Sequence, residues 1–99
     1  IDSWHHSLTF TEVEYHDDQE MFYFMAGTAI MLFADIIEGQ VDMESIQAVR
    51  IPQGTQLIIE KGKAHFVAIA EDNIPVKMVV VAPKMDAPRV SLKEEVKAK

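Results

Sequence analysis

From Leu8 to His16 polar and apolar residues divide between two faces, with Leu8, Phe10, Glu12, Glu14 and His16 on one and Thr9, Thr11, Val13 and Tyr15 on the other. A period of two is that of a β-strand. Asp17 to Gln19 has the composition of a turn, and Met21 to Ala26 is almost wholly apolar, as expected of a strand covered on both sides. Gly27-Thr28 breaks this run and predicts a hairpin into a strand over 29–34. Residues 35–45 carry Asp35, Glu38, Asp42 and Glu44 around Gly39 without a clear period, which predicts a loop or a short irregular strand. The EF-hand spacing is absent, so these acids read as a solvated loop rather than a calcium site.

Further strands are predicted at 45–51, closed by the turn Pro52-Gln53-Gly54, at 55–60, and at 65–70 after the turn Lys61-Gly62-Lys63. Within 65–70, His65, Val67 and Ile69 alternate with Phe66, Ala68 and Ala70; Glu71-Asp72-Asn73 turns the chain into a final buried strand at 76–82. Short strands spaced this evenly mean an all-β sandwich or barrel. The end reads differently. Ser91 and Glu94 have capping-box spacing after Pro88, and Leu92 and Val96 share one helical face, so a short C-terminal helix is predicted within 89–99. Residues 1–7 read as a surface arm whose Trp4 packs on a partner subunit, which predicts a homodimer. If extended, His5 and His6 in that arm face opposite ways and cannot ligate one metal together.

Ninety-nine residues make one small domain, and an apolar share of 48% supplies a core. The absence of cysteine removes thiolate ligands, disulfides and cysteine nucleophiles. A formal charge of −7 and a pI near 4.9 argue against nucleic acid and anionic membranes as partners, leaving a small molecule. No apolar run approaches a membrane span and no signal peptide is visible, so cytoplasm is the expected compartment. No G-x-S-x-G, Walker or dinucleotide-binding glycine motif is present, which leaves serine-hydrolase, ATPase and hydride-transfer chemistry without support.

The candidate chemistry lies in EYHDDQEMFYFMAG, residues 14–27, and in EKGKAHFVAI, residues 60–69. Glu14 and His16 are two apart, so on a strand both point to one face; Glu20 follows on the next strand and His65 on a distant one. Imidazole nitrogens and carboxylate oxygens converging on one point suit a divalent metal. Taken alone, His65 with Val67 and Ile69 on its face reads as a core residue. Arg50 shares a face with Ile46 and Ala48 and is a candidate clamp for a substrate carboxylate, the bland alternative being an edge-strand arginine in solvent.

The spacing of His16, Glu20 and Gly27 resembles the first motif of the cupin superfamily, H-x-H-x3-4-E-x6-G, with Glu14 where the first histidine stands. Gly62-x-x-His65 resembles the end of the second motif, P-x-G-x-x-H-x3-N, with Glu60 at the proline position and Ile69 at the asparagine position. The resemblance implies a cupin-type double-stranded β-helix, or jelly roll, as one domain over residues 1–99. Its barrel would span about 8–82, with an arm at 1–7 and a helical tail at 89–99. It also implies a metal site of His16, Glu20 and His65 with Glu14 as fourth ligand or general base, and zinc, iron, manganese or nickel as the metal. Within cupins the pattern is similar to the ureidoglycolate lyase group, although Ala64 stands where that group has an aromatic residue. The activity implied is a metal-dependent lyase or hydrolase acting on a small hydroxy-acid or ureido compound, with Glu14 or Glu20 moving a proton. The alternative is a non-enzymatic barrel that holds a small ligand, its altered motifs marking lost chemistry.

Overall fold

A computed structural model describes residues 2–3, 9–71, 74–84 and 88–97, and all regular secondary structure among them is extended. The strands are β1 (Asp2–Ser3), β2 (Thr9–Glu14), β3 (Glu20–Ala26), β4 (Ala29–Ile37), β5 (Gln40–Ile51), β6 (Gln56–Ile59), β7 (Ala64–His65), β8 (Ile69–Ala70), β9 (Val76–Val81) and β10 (Arg89–Lys97). They form two antiparallel sheets. The smaller has the order β1-β9-β3-β6, and the larger runs β10-β2-β7-β4-β5, with β8 also paired to β4. Trp4, His5, His6, Leu8 and the Asp72-Asn73 turn lie outside the described residues. Among those described, no helix is long and apolar enough to cross a membrane.

β4 explains the architecture. Its odd positions Ala29, Met31 and Phe33 pack into a core with Phe22, Phe24, Ile59, Val76 and Met78 of the smaller sheet. Its even positions Ile30, Leu32, Ala34 and Ile36 pack into a second core with Phe10, Val13, Val41, Ala64 and Ile69. A strand apolar on both faces has to be covered on both. The smaller sheet covers one face. The larger sheet covers the other by curling until its edge strands β10 and β5 touch, which makes it a half-barrel around the second core.

The connections differ from expectation in three places. Gly27-Thr28 is not a hairpin, because β3 and β4 belong to different sheets; it is the corner where the chain crosses between them. Of the two readings of the acidic stretch, the irregular strand holds and the loop does not: after a register shift between Phe33 and Asp35, β4 and β5 pair from Asp35↔Asp42 to Ile37↔Gln40, joined by Glu38 and Gly39 at φ 52° and 78°. Two central residues with positive φ give the tight turn whose twist matches paired strands. Nor is 21–26 covered on both sides: Phe22 and Phe24 point inward, while Tyr23 and Met25 are exposed.

The short helix expected within 89–99 is replaced by β10, which joins the larger sheet beside β2. Val90, Leu92 and Val96 all pack partly against the second core. Even spacing suits one strand face as well as i,i+4 suits a helix, and a helix this short has little stability of its own. Pairing also covers the edge of β2 that a helix would leave open. The register jumps between Ser91↔Glu12 and Val96↔Phe10, so the intervening residues bulge out of the ladder. Leu92→Ala is expected to cost about 1–2 kcal/mol by urea denaturation, less than a fully buried leucine, and Lys93→Ala less than ~0.5 kcal/mol. Equal effects would count against the burial of this strand.

Candidate metal centre

The core between the sheets turns polar at one end. Along β3 the inward row begins at Glu20 and continues through Phe22 and Phe24. Facing it on the larger sheet is His65 of β7, paired with Phe33 on one side and Glu14 on the other. His16 enters from the connection between β2 and β3. That connection is tied to the 60–62 turn: Gly62 N–H donates to His16 O at 2.8 Å, and Gln19 Nε2 donates to Glu60 Oε2 at 3.0 Å. The glycine three residues before His65 thus docks on the backbone of the other histidine, which is why the two distant motifs meet.

Glu20 Oε1 lies 2.8 Å from His16 Nε2 and 3.1 Å from His65 Nε2, and Glu14 Oε1 lies 4.0 Å from His65 Nε2. The two imidazole rings are 5.2 Å apart between centroids. His16, Glu20 and His65 are buried, whereas the Glu14 side chain is 18% exposed. Glu20 Oε1 is at ion-pair distance from both ring nitrogens, although this buried oxygen accepts no hydrogen bond.

The orientation of His65 accounts for half of that. Its Nδ1 is 3.0 Å from Lys63 O. A carbonyl only accepts, so Nδ1 carries the proton, and in the neutral ring Nε2 presents a lone pair towards Glu20 and Glu14. Donation of the second ring nitrogen to a backbone carbonyl is the usual way a ligating histidine is oriented. Phe22 holds the same ring edge-on, with centroids 6.3 Å apart. A ring lone pair facing a buried carboxylate oxygen is satisfied by a cation between them, a proton or a metal ion.

Ligand atoms of Glu14, His16 and His65 all lie within 4.8 Å of one another, an arrangement that could hold a metal ion. With metal–ligand bonds near 2.1 Å, neighbouring donors of a tetrahedral centre stand ~3.4 Å apart. The half-buried Glu14 can close the remaining gap by side-chain rotation. Two imidazoles and carboxylate oxygens suit borderline divalent metals, so the donor set fits the group that the sequence implies.

The structure brings Glu14, His16, Glu20 and His65 together and does not bring Arg50 to them. The Arg50 side chain is 68% exposed and forks onto Glu71, with Nε 2.7 Å from Oε1 and Nη2 2.9 Å from Oε2. On β4 its cross-strand neighbour is Ile30, three positions from Phe33, the neighbour of His65. Its row, with Ala48 and Ile46, lies beside Leu32 and Ile30 on the second-core side of β4, the face opposite His65, and is exposed at Ala48 and Arg50. Arg50→Ala is expected to leave metal content unchanged and to cost under ~1 kcal/mol, as for other exposed pairs. Loss of metal in that variant would return Arg50 to the site.

Two features had no sequence signal. The carbonyl of Lys63 is backbone and carries no residue preference. A groove of about 340 Å³ opens between β5 and β6, lined by Phe33, Val49, Leu57, Ile59 and Lys63 among others. Phe33 and Ile59 are the cross-strand neighbours of His65 and Glu20, so the groove borders both sides of the cluster. Two edge strands from different sheets form it, and only the sheet order places them together.

No family model, curated protein or solved structure matches the chain.

Proposed function

We propose that this protein is a cupin-type, metal-dependent enzyme acting on a small hydroxy-acid or ureido compound, in the manner of the ureidoglycolate lyase group. The observation that carries this reading is the buried Glu20 Oε1, without a hydrogen bond, between the Nε2 atoms of His16 and His65. A purely structural carboxylate in a core is expected to be hydrogen-bonded, because desolvation without compensation is costly. His16, His65 and Glu20 would hold zinc, iron, manganese or nickel, with Glu14 completing the set. The metal, when bound, would polarise an oxygen of the substrate.

Each residue then has a defined task. Lys63 O fixes the His65 tautomer, and Gly62 N–H fixes the backbone at His16. Phe22 and Phe33 keep water from the inner side of the site. Glu14 is the more exposed carboxylate and stands farther from His65 than Glu20 does, which suits it to accept and return a substrate proton. The groove between β5 and β6 gives a small molecule a path past Phe33. The jelly-roll winding belongs to the same proposal, supported by the curled larger sheet and the order of the two motifs.

One observation favours the non-enzymatic alternative. Ile69, at the asparagine position of the second motif, is 2% exposed and packs in the second core, so that position serves folding rather than a ligand. Elemental analysis of protein expressed with each metal, together with glyoxylate release from ureidoglycolate, separates the readings. Stoichiometric metal with turnover supports the enzyme, metal without turnover on hydroxy-acid or ureido substrates supports the binding barrel, and no metal under any condition overturns the centre.

A further inference from the structure

We propose that the outer face of the four-stranded sheet is the surface on which two copies of this chain associate. This inference does not rest on the proposed metal, although the depression at one end of the face is lined in part by Glu20. Among the described residues nine large hydrophobic side chains are exposed, and five of them, Tyr23, Met25, Ile58, Val79 and Val81, stand on this one face. They are contiguous. Met21 has Val81 and Ile58 as its cross-strand neighbours, and Tyr23 has Val79 and Gln56. Exposures of 41–56% for such residues are ordinary singly, but rows of them across three strands are not.

The charge distribution names the occupant. The chain has 16 acidic residues and a net charge of −7, so two copies repel through most of their surface. The outward positions of β3, β6 and β9 are Met21, Tyr23, Met25, Gln56, Ile58, Lys77, Val79 and Val81, with no carboxylate among them; the edge strand β1 places Asp2 beside Lys77. This is the face through which a second acidic copy approaches with least repulsion.

The face also complements itself. A depression of about 310 Å³ lies at the end where Met21, Ile58 and Val81 meet Ala82 and Pro83, rimmed by Asp18. At the other end Met25 projects, 51% exposed, beside Lys77. A two-fold axis through Tyr23, in the plane between stacked sheets, seats each Met25 over the partner's depression. Isologous pairing of this kind closes on itself. The sequence-based expectation of a homodimer rested on Trp4, which lies outside the described residues; this face supplies a separate basis for it.

The test uses the full chain by sedimentation velocity from low micromolar to submillimolar concentration. The expected result is a species of twice the 11.2 kDa chain mass that dissociates on dilution. Tyr23→Glu, a charge at the centre of the face, is expected to weaken association by ~100-fold or more while the far-UV spectrum is unchanged. Because the chain has no cysteine, Tyr23→Cys places a single thiol near the axis. It is expected to form a covalent dimer under mild oxidation much faster than Val67→Cys, an exposed control elsewhere. A monomer at every concentration overturns the proposal. So does a dimer untouched by Tyr23→Glu, equal cross-linking at the two thiols, or uptake onto neutral phospholipid vesicles that Tyr23→Glu abolishes while the protein in solution is monomeric.

Discussion

Replacing His16, Glu20 or His65 is expected to strip most bound divalent metal from the protein, as read by elemental analysis after desalting. In the proposed centre three side chains from separate elements would share one sphere, His16 from the β2–β3 connection, Glu20 from β3 and His65 from β7, beside Glu14, whose ligand atom lies within 4.8 Å of those of both histidines. A sphere missing one donor loses more than the ~10–100-fold in affinity that follows from altering a residue behind a ligand. Glu20→Gln is the cleanest variant, because it keeps the volume of a buried side chain and removes only the charge. Thermal unfolding adds a second readout. Metal at ~1,000 times its dissociation constant stabilises the folded state by about 4 kcal/mol. For a domain of this size that is roughly 15–30 °C in Tm. Glu20→Gln is expected to lose nearly all of that shift. Without metal it should be at least as stable as the parent protein, because it relieves a buried carboxylate oxygen that has no hydrogen bond. A metal-free Glu20→Gln protein markedly less stable than its parent would mean that Glu20 serves the fold. Glu14→Gln should part from the other three: retained metal with turnover lowered by ~100-fold or more identifies a base, and lost metal a ligand.

Gly27→Ala is expected to destabilise the protein by about 3 kcal/mol or more, a large fraction of a small domain's total stability. At φ +80° a side chain already costs ~1–2 kcal/mol. In addition, a Cβ there would stand 2.7 Å from Pro75 O and 3.2 Å from Val76 Cα. Both are backbone atoms at the start of β9, so no side-chain rotation relieves the overlap, and β9 would have to move away from β3. Gly39→Ala is the control. Its φ is also positive, 78°, but a Cβ there meets nothing within 4 Å, so only the conformational cost of ~1–2 kcal/mol is expected. Urea midpoints of the two variants measure the difference. If they coincide, the corner at Gly27 yields more readily than its packing implies.

The two glycines mark what pattern can and cannot reveal. The glycine of the first motif is visible in sequence, and its spacing from His16 and Glu20 marks a corner after a strand. Its reason is tertiary, since the obstructing atoms belong to Pro75 and Val76, some fifty residues away along the chain. Likewise Glu38-Gly39 in an acidic stretch suggests a solvated loop, because four carboxylates mask the alternation of Ile36, Val41 and Met43 that the two strands use. Leu92 and Val96 satisfy a helix and a strand equally, and the open edge of β2 chooses the strand.

For the site the division is similar. Alternation brought forward Glu14 and His16 as a pair on one face, and the resemblance to the two cupin motifs added Glu20 and His65, since each motif is local. That the four meet depends on the Gly62–His16 hydrogen bond and on Glu20 and His65 facing each other across the space between two sheets. Arg50 had the same kind of evidence, a position in an alternating row, yet it lies in solvent against Glu71. Alternation states that two residues share a face, but not which face the sheet buries. The short-strand, all-β character of this protein and the candidate donor residues are properties of local periodicity and residue type, and so were legible along the chain. Which sheet each strand joined, which rows turned inward and which donors converged were set in three dimensions. Those outcomes depend on covering both faces of β4 and the edge of β2, a requirement set by residues far apart in the chain.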